Sequence, residues 1–223
     1  MTRAEVEKNT ITFLRTADGT RPDLRVVETD GCRVVVKDFS RSDKLFRLLI
    51  GPILIRRERG ALIRLKGILG VPQVLETIDR HAFVMEHVDG VALKDYKDPL
   101  PKGFFDKLTE VTTLIHERGI AHCDMRSSGN VMVTKNGDPK VVDFAACVIQ
   151  GNGLNPLVNF VFQQFVDADL HAILMLKRRH APDTLRPEEV KRLATPLPYE
   201  IIAKKIGCTV RNVTRKLLTR KKD

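Results

Sequence analysis

Apolar residues fall in short β-branched runs through the first forty positions and then change to a helical rhythm. LRVVET and CRVVVKDF, at 24–29 and 32–39, flank Asp30-Gly31, a dipeptide that tolerates positive φ, so they predict two strands joined by a two-residue hairpin turn. A shorter strand, ITFLR at 11–15, precedes them across TADGTRPD, where Gly19 and Pro22 mark a loop.

From 43 to about 68 the spacing predicts helix, with a break at Gly51-Pro52 because proline removes a donor and clashes with the preceding turn. Past that break Leu54, Ile55, Leu62 and Leu65 gather on one side, Arg56, Arg57, Arg59 and Arg64 fall elsewhere, and Glu58 is the one acid. VPQVLETI and HAFVMEHV read as two further strands, and VDGVALKDYKDPLP as a connector. Phe105, Leu108, Thr112 and Ile115 predict a helix over 102–118, stopped by Gly119. NVMVT and KVVDF then flank KNGDP, where Asn136-Gly137 gives a second hairpin signal. Beyond about 155 the chain reads as helix, broken by proline clusters at 182–187 and 196–198. The order predicts an α+β fold of two lobes: a small β-rich N-lobe with one long helix over 1–87 and a helical C-lobe over 88–223.

Composition narrows this little. A chain of 223 residues, 43% hydrophobic and 30% charged, can bury a real core, and the absence of Trp with only two Tyr argues against an aromatic nucleic-acid platform. Cys32, Cys123, Cys147 and Cys208 are scattered, without CxxC or zinc-ligand spacing, which fits a reducing cytoplasm. MTRAEVEKNT lacks an apolar signal core, and no apolar run approaches the roughly 18 residues of a membrane span. The net charge of +10 calls for an anionic partner: a phosphorylated small molecule, an acidic lipid surface or nucleic acid.

The chemistry concentrates in HCDMRSSGNVMVTKNGDPKVVDFA, 122–145, where Asp124, Arg126, Asn130 and Asp143 adjoin valine runs that favour burial. Two acids, an amide and a cation gathered around one hairpin make a candidate functional constellation. An Asp- and Asn-rich turn is the plain structural alternative.

These motifs, with VVVKDF and RRERGAL upstream and in the right order, resemble the protein-kinase-like phosphotransferases over about residues 11–180. The resemblance implies a two-lobed ATP-dependent kinase using Mg²⁺. Lys37 matches the strand lysine that neutralises ATP phosphates, and Glu58, 21 residues on, the helix glutamate that holds it. VMEHV matches the hinge, with Met85 as gatekeeper and the Glu86 carbonyl and Val88 amide facing adenine. Asp124 would position the attacking hydroxyl, Arg126 would sit near the γ-phosphate, and Asn130 and Asp143 would hold the metal. His122 would orient the loop. Asp169 matches a buried aspartate that braces this loop, although an ordinary helix N-cap reads equally well.

The chain departs from the common pattern in several places. Gly19 is the one glycine able to bring backbone near phosphate, in place of GxGxxG. Asn130 follows Asp124 by six residues rather than five, so one residue must bulge, and Ala145 replaces the DFG glycine. No long activation segment separates Asp143 from Asp169. This reduced C-lobe resembles small bacterial kinases related to RIO-type and lipopolysaccharide-core sugar kinases, whose acceptor hydroxyls, on protein, sugar or lipid-linked groups, vary. FSRSDKLFRLLIGPILIRRERGALIRLK admits peripheral contact with an anionic inner membrane face as the alternative to a solvated basic face. IIAKKIGCTVRNVTRKLL has helix-turn-helix spacing, but nucleic acid is the weaker expectation. The competing functions are a catalytically silent nucleotide-binding scaffold and a nucleic-acid binder acting through the tail.

Overall fold

The fold is described by a computed structural model over residues 1–151 and 155–195. Thr2 and Glu5 form a reciprocal capping box that starts α1 (Arg3–Asn9), a helix the sequence reading missed, and Val6 is its buried residue. β1 (Thr10–Arg15) follows, then β2 (Asp23–Thr29) and β3 (Cys32–Asp38), paired in antiparallel register from Asp23 against Asp38 to Thr29 against Cys32. Asp30 and Gly31 carry φ values of 50° and 72°, which makes the predicted two-residue turn possible.

The expected break at Gly51-Pro52 is weaker than predicted. α2 (Lys44–Leu49) passes into α3 (Gly51–Arg64) through Ile50, which stays right-handed helical. The Ile50 amide donates to Phe46 O at 2.8 Å and Leu54 N to Ile50 O at 3.0 Å, so hydrogen bonding crosses the join. Pro52 lies in the first turn of α3, where its missing N–H has no helical partner to lose.

β4 (Val74–Asp79) and β5 (Ala82–Glu86) complete a five-stranded antiparallel sheet in the order β1-β2-β3-β5-β4. Val6 of α1 packs with Val27, Val34, Val36 and Val84 on one face. Phe39 and Phe83 join Ile55 and Leu62 of α3, and Leu65 just past its end, in the larger core cluster, which continues into the second lobe.

In the expected connector, β6 (Gly90–Ala92) forms a short strand. It pairs with β8 (Val131–Thr134), which pairs with β9 (Pro139–Val141), in a three-stranded sheet at the start of the C-lobe. The turn at Asn136-Gly137 is present, with Gly137 at φ 80°. β9 ends at Val141, so Asp143 lies outside the strand in which KVVDF had placed it. α4 (Phe104–Glu117) buries Phe105, Leu108, Thr112 and Ile115, the four positions its periodicity selected. β7 (Ile120–Ala121) pairs with β10 (Val148–Ile149), and α5 (Pro156–His180) packs on α4. α6 (Pro187–Ala194) is clamped to α5 by Glu189, whose carboxylate accepts from Lys177 Nζ at 2.8 and 2.9 Å and from the Arg186 amide. Among the described residues no helix is long and apolar enough to cross a membrane. The helix-turn-helix-like tail and the break at 196–198 lie outside the described residues.

Candidate active site

The sheet register brings the upstream motifs together. Lys37 pairs with Leu24 on one side and Phe83 on the other, so its side chain leaves the sheet on the face toward α3, where Glu58 is buried. Lys37 and Glu58 are 2% and 1% exposed, and Nζ lies 2.6 Å from Glu58 Oε2. The same Nζ donates to Asp143 Oδ1 at 3.0 Å, across 106 residues of sequence. Burial opposes charge on Lys37, but Glu58 and Asp143 overturn that penalty and raise its pKa. Desolvation likewise pushes Asp143 up, yet Lys37, and beyond it Arg15, hold its pKa below the usual carboxylate range. The three residues therefore form one buried charge cluster, in which the Asp143 side chain retains 34% exposure on the open side.

These three residues line a cleft together with Leu14, Leu24, Val35, Pro72, Met85, Val88, Met132 and Val142. Met85, Glu86 and Val88 all line it, and Glu86 Oε1 is 2.6 Å from Lys140 Nζ. Gly90 also lines it; a Cβ there would come within 2.5 Å of Val133 O, so the crossing of β6 over β8 demands glycine. Gly19 is not among the lining residues, and its carbonyl accepts from the Asp43 amide at 2.9 Å.

The second group sits on the loop between β7 and β8. Asn130 Nδ2 donates to Asp124 Oδ2 at 2.8 Å and to Asp124 O at 3.0 Å, so the Asn130 amide oxygen is the end left to ligate a cation. Asn130 O in turn accepts from Val142 N at 2.9 Å, which ties this loop to the residue before Asp143. The extra residue between Asp124 and Asn130 is taken up by two linked turns, Ser127 N to Asp124 O and Asn130 N to Ser127 O, rather than by a single bulge. Asp124 and Arg126 are exposed, and an Arg126 Nη contacts Met175 Sδ at 3.2 Å.

Two supports hold the loop. His122 Nδ1 accepts from the Asp124 amide at 3.3 Å and Nε2 lies 3.0 Å from Val142 O. Its ring also meets Phe144 edge-on, with centroids 4.8 Å apart, so both ring nitrogens and the ring itself are engaged within the protein. Asp169 lies in the middle of α5, which removes the N-cap reading. Its carboxylate accepts from the amides of His122 at 2.7 Å and Cys123 at 2.9 Å. Asp143 adopts a left-handed backbone, φ 64° and ψ 72°, and Ala145 is accommodated because it stands in a 3-10 turn rather than at a positive-φ position. Burial, and then Asp169, push the Cys123 thiol up to about 12, so it is no nucleophile at neutral pH.

Fold and site together define a two-lobed protein-kinase-like architecture of RIO type. The RIO domain family profile matches residues 32–188, more than half of the chain, and the chain belongs to that family. Two Rio2 kinase structures from Chaetomium thermophilum share its fold at a TM-score of 0.59. One is an ADP/Mg²⁺-phosphoaspartate complex, 16% identical over 87% of this chain and 65% of that one; the other is 17% identical over 86% and 65%. Among curated proteins, the chain is 30% identical over 98 residues to CBL-interacting serine/threonine-protein kinase 15 of Arabidopsis thaliana, covering 40% of this chain and 23% of that one. It is 35% identical over 98 residues to probable serine/threonine-protein kinase PknB of Lactococcus lactis subsp. lactis (strain IL1403), covering 40% and 16%. The chain thus spans less than a quarter of the length of these curated relatives.

Proposed function

We propose that the chain is an Mg-ATP-dependent kinase that transfers the γ-phosphoryl group to a hydroxyl acceptor. The observation that carries this reading is the convergence of Lys37, Glu58 and Asp143 in a cleft whose remaining lining is mainly apolar. Adenine fits the apolar part, which Met85 lines, and the Glu86 carbonyl and Val88 amide would offer edge hydrogen bonds. Lys37, held by Glu58, neutralises phosphate charge. Asp143 and the Asn130 amide oxygen suit Mg²⁺, because both are hard oxygen donors and the Asn130 nitrogen is already committed to Asp124. Bound there, the metal would neutralise charge on the triphosphate. Exposed Asp124 accepts a hydrogen bond from the acceptor hydroxyl and aims its oxygen, while Arg126 adds positive charge near the γ-phosphate.

The test offers [γ-³²P]ATP with Mg²⁺ to wild type and Asp124→Asn, alone and with a lysate or a lipid extract. Label transferred by wild type and not by Asp124→Asn supports the kinase; tight ATP binding with no label on any fraction supports the silent scaffold instead. The phosphoaspartate of the Rio2 complex adds a second reading, in which a carboxylate of this chain takes the phosphoryl group before water does. Hydroxylamine-labile label on the chain itself marks that route.

Peripheral contact with an anionic membrane is supported by Leu45, Leu48, Leu49 and Ile53, which are exposed beside Arg41, Lys44 and Arg56. Failure of the chain to sediment with phosphatidylglycerol vesicles would remove this reading.

A further inference from the structure

A kinase without a glycine-rich loop needs another donor for the outer phosphates, and the N-lobe supplies one. The segment 16–22 is fastened in place: Asp23 Oδ1 accepts from Ala17 N at 2.6 Å, Gly19 O from Asp43 N at 2.9 Å, and Arg21 O from Ser42 Oγ at 2.9 Å. Its backbone is thereby held on the start of β2 and the segment leading into α2.

The register just before that loop is irregular. Phe13 pairs with Arg25 and Arg15 with Leu24, so two residues of β1 oppose one step of β2. This is a β-bulge, a device that turns an extra side chain onto a chosen face. Leu24 pairs in turn with Lys37 on β3, and Leu14, Leu24 and Lys37 all line the cleft. Arg15 therefore ends a cross-strand row that leads to Lys37, two strands or about 10 Å away. Phe13 stays with Arg25 on the opposite face, its ring 5.0 Å from that guanidinium.

We infer that Arg15, which stands beside the cleft-lining Leu14 and is not itself among the lining residues, is a polyphosphate-binding residue that reaches the anion from the rim, doing there what a glycine-rich loop does with backbone amides. The inference rests on the kinase reading above. Arg15 is half-buried, and its bond to the loop is a long one, Nε to Pro22 O at 3.3 Å. Among the described residues it makes no ion pair within 4.0 Å, although its charge acts on both Glu58 and Asp143. Its Nη groups thus remain for an anion lying between it and Lys37. A planar guanidinium matches phosphate oxygens in a way a lysine does not.

Titration calorimetry of Mg-ATP and of adenosine against wild type, Arg15→Gln and Arg15→Lys tests this. Arg15→Gln is expected to weaken Mg-ATP about ten- to a hundredfold, the value of one charge-assisted phosphate contact, and to leave adenosine unchanged. Arg15→Lys is expected to recover part of the loss. Arg15→Gln binding Mg-ATP within twofold of wild type, or losing ATP and adenosine equally, overturns the inference and leaves the kinase reading standing. Wild type that binds no Mg-ATP overturns both. A urea midpoint for Arg15→Gln equal to wild type confirms that folding is intact.

Discussion

Asp169 offers the sharpest test of how the reacting loop is held. It is 2% exposed, and the two amides it accepts from, His122 and Cys123, lie directly before Asp124. Replacing it by alanine leaves the buried His122 N–H and the part-buried Cys123 N–H without this partner, at about 1–3 kcal/mol each. The expected loss is about 2–6 kcal/mol, a large share of a typical total of about 5–15 kcal/mol. Asp169→Asn keeps one oxygen and presents an NH₂ to the other amide, so it should lose about half as much. Urea unfolding read by far-UV circular dichroism measures both, since the chain has no Trp. Catalysis should fall further than stability, because a released His122-Cys123 segment misplaces Asp124. If both variants stay within about 0.5 kcal/mol of wild type and turn over ATP normally, the brace is wrong.

Lys37→Met alone strands a buried Glu58 carboxylate and should cost about 3–5 kcal/mol, whereas Lys37→Met with Glu58→Gln should recover most of that loss; urea midpoints of the single and double variants decide. Burial pushes the Glu189 carboxyl up, but the Arg186 amide, Lys177 and the Arg186 side chain hold it down to about 2, against 4.5 when free. Because the folded pKa is depressed, this stabilisation is complete above about pH 4.5 and disappears as pH falls toward 2. Wild type should exceed Glu189→Gln by up to about 3 kcal/mol at pH 7, in a gap that narrows steadily in acid; a gap independent of pH contradicts the clamp.

The sequence exposed those features whose causes are local. Asp30-Gly31 and Asn136-Gly137 turn the chain because their own backbones take positive φ or sit beside a glycine that does, and α4 shows its buried face in its spacing. Lys37, Glu58, Asp124, Asn130 and Asp143 were legible as an ordered set. α1 was overlooked although Thr2 and Glu5 stand at capping-box spacing, a usable signal. β6, β7 and β10 are two or three residues long and exist only through partners distant in the chain, so no local pattern marks them. Asp169 was ambiguous because an aspartate before apolar residues looks the same whether it caps a helix or receives a loop from 46 residues away. Arg15 escaped for a similar reason: a bulge is a property of two strands, not of one.

The most direct measurement of the central claim uses Mn²⁺ as a paramagnetic substitute for Mg²⁺ and reads its binding by electron paramagnetic resonance, with and without ATP. If Asp143, Asn130 and Lys37 meet one metal-triphosphate unit, wild type holds Mn²⁺ tightly only when ATP is present, and Asp143→Asn loses that nucleotide-dependent site. Mn²⁺ retained equally by Asp143→Asn, or bound without regard to ATP, would contradict it.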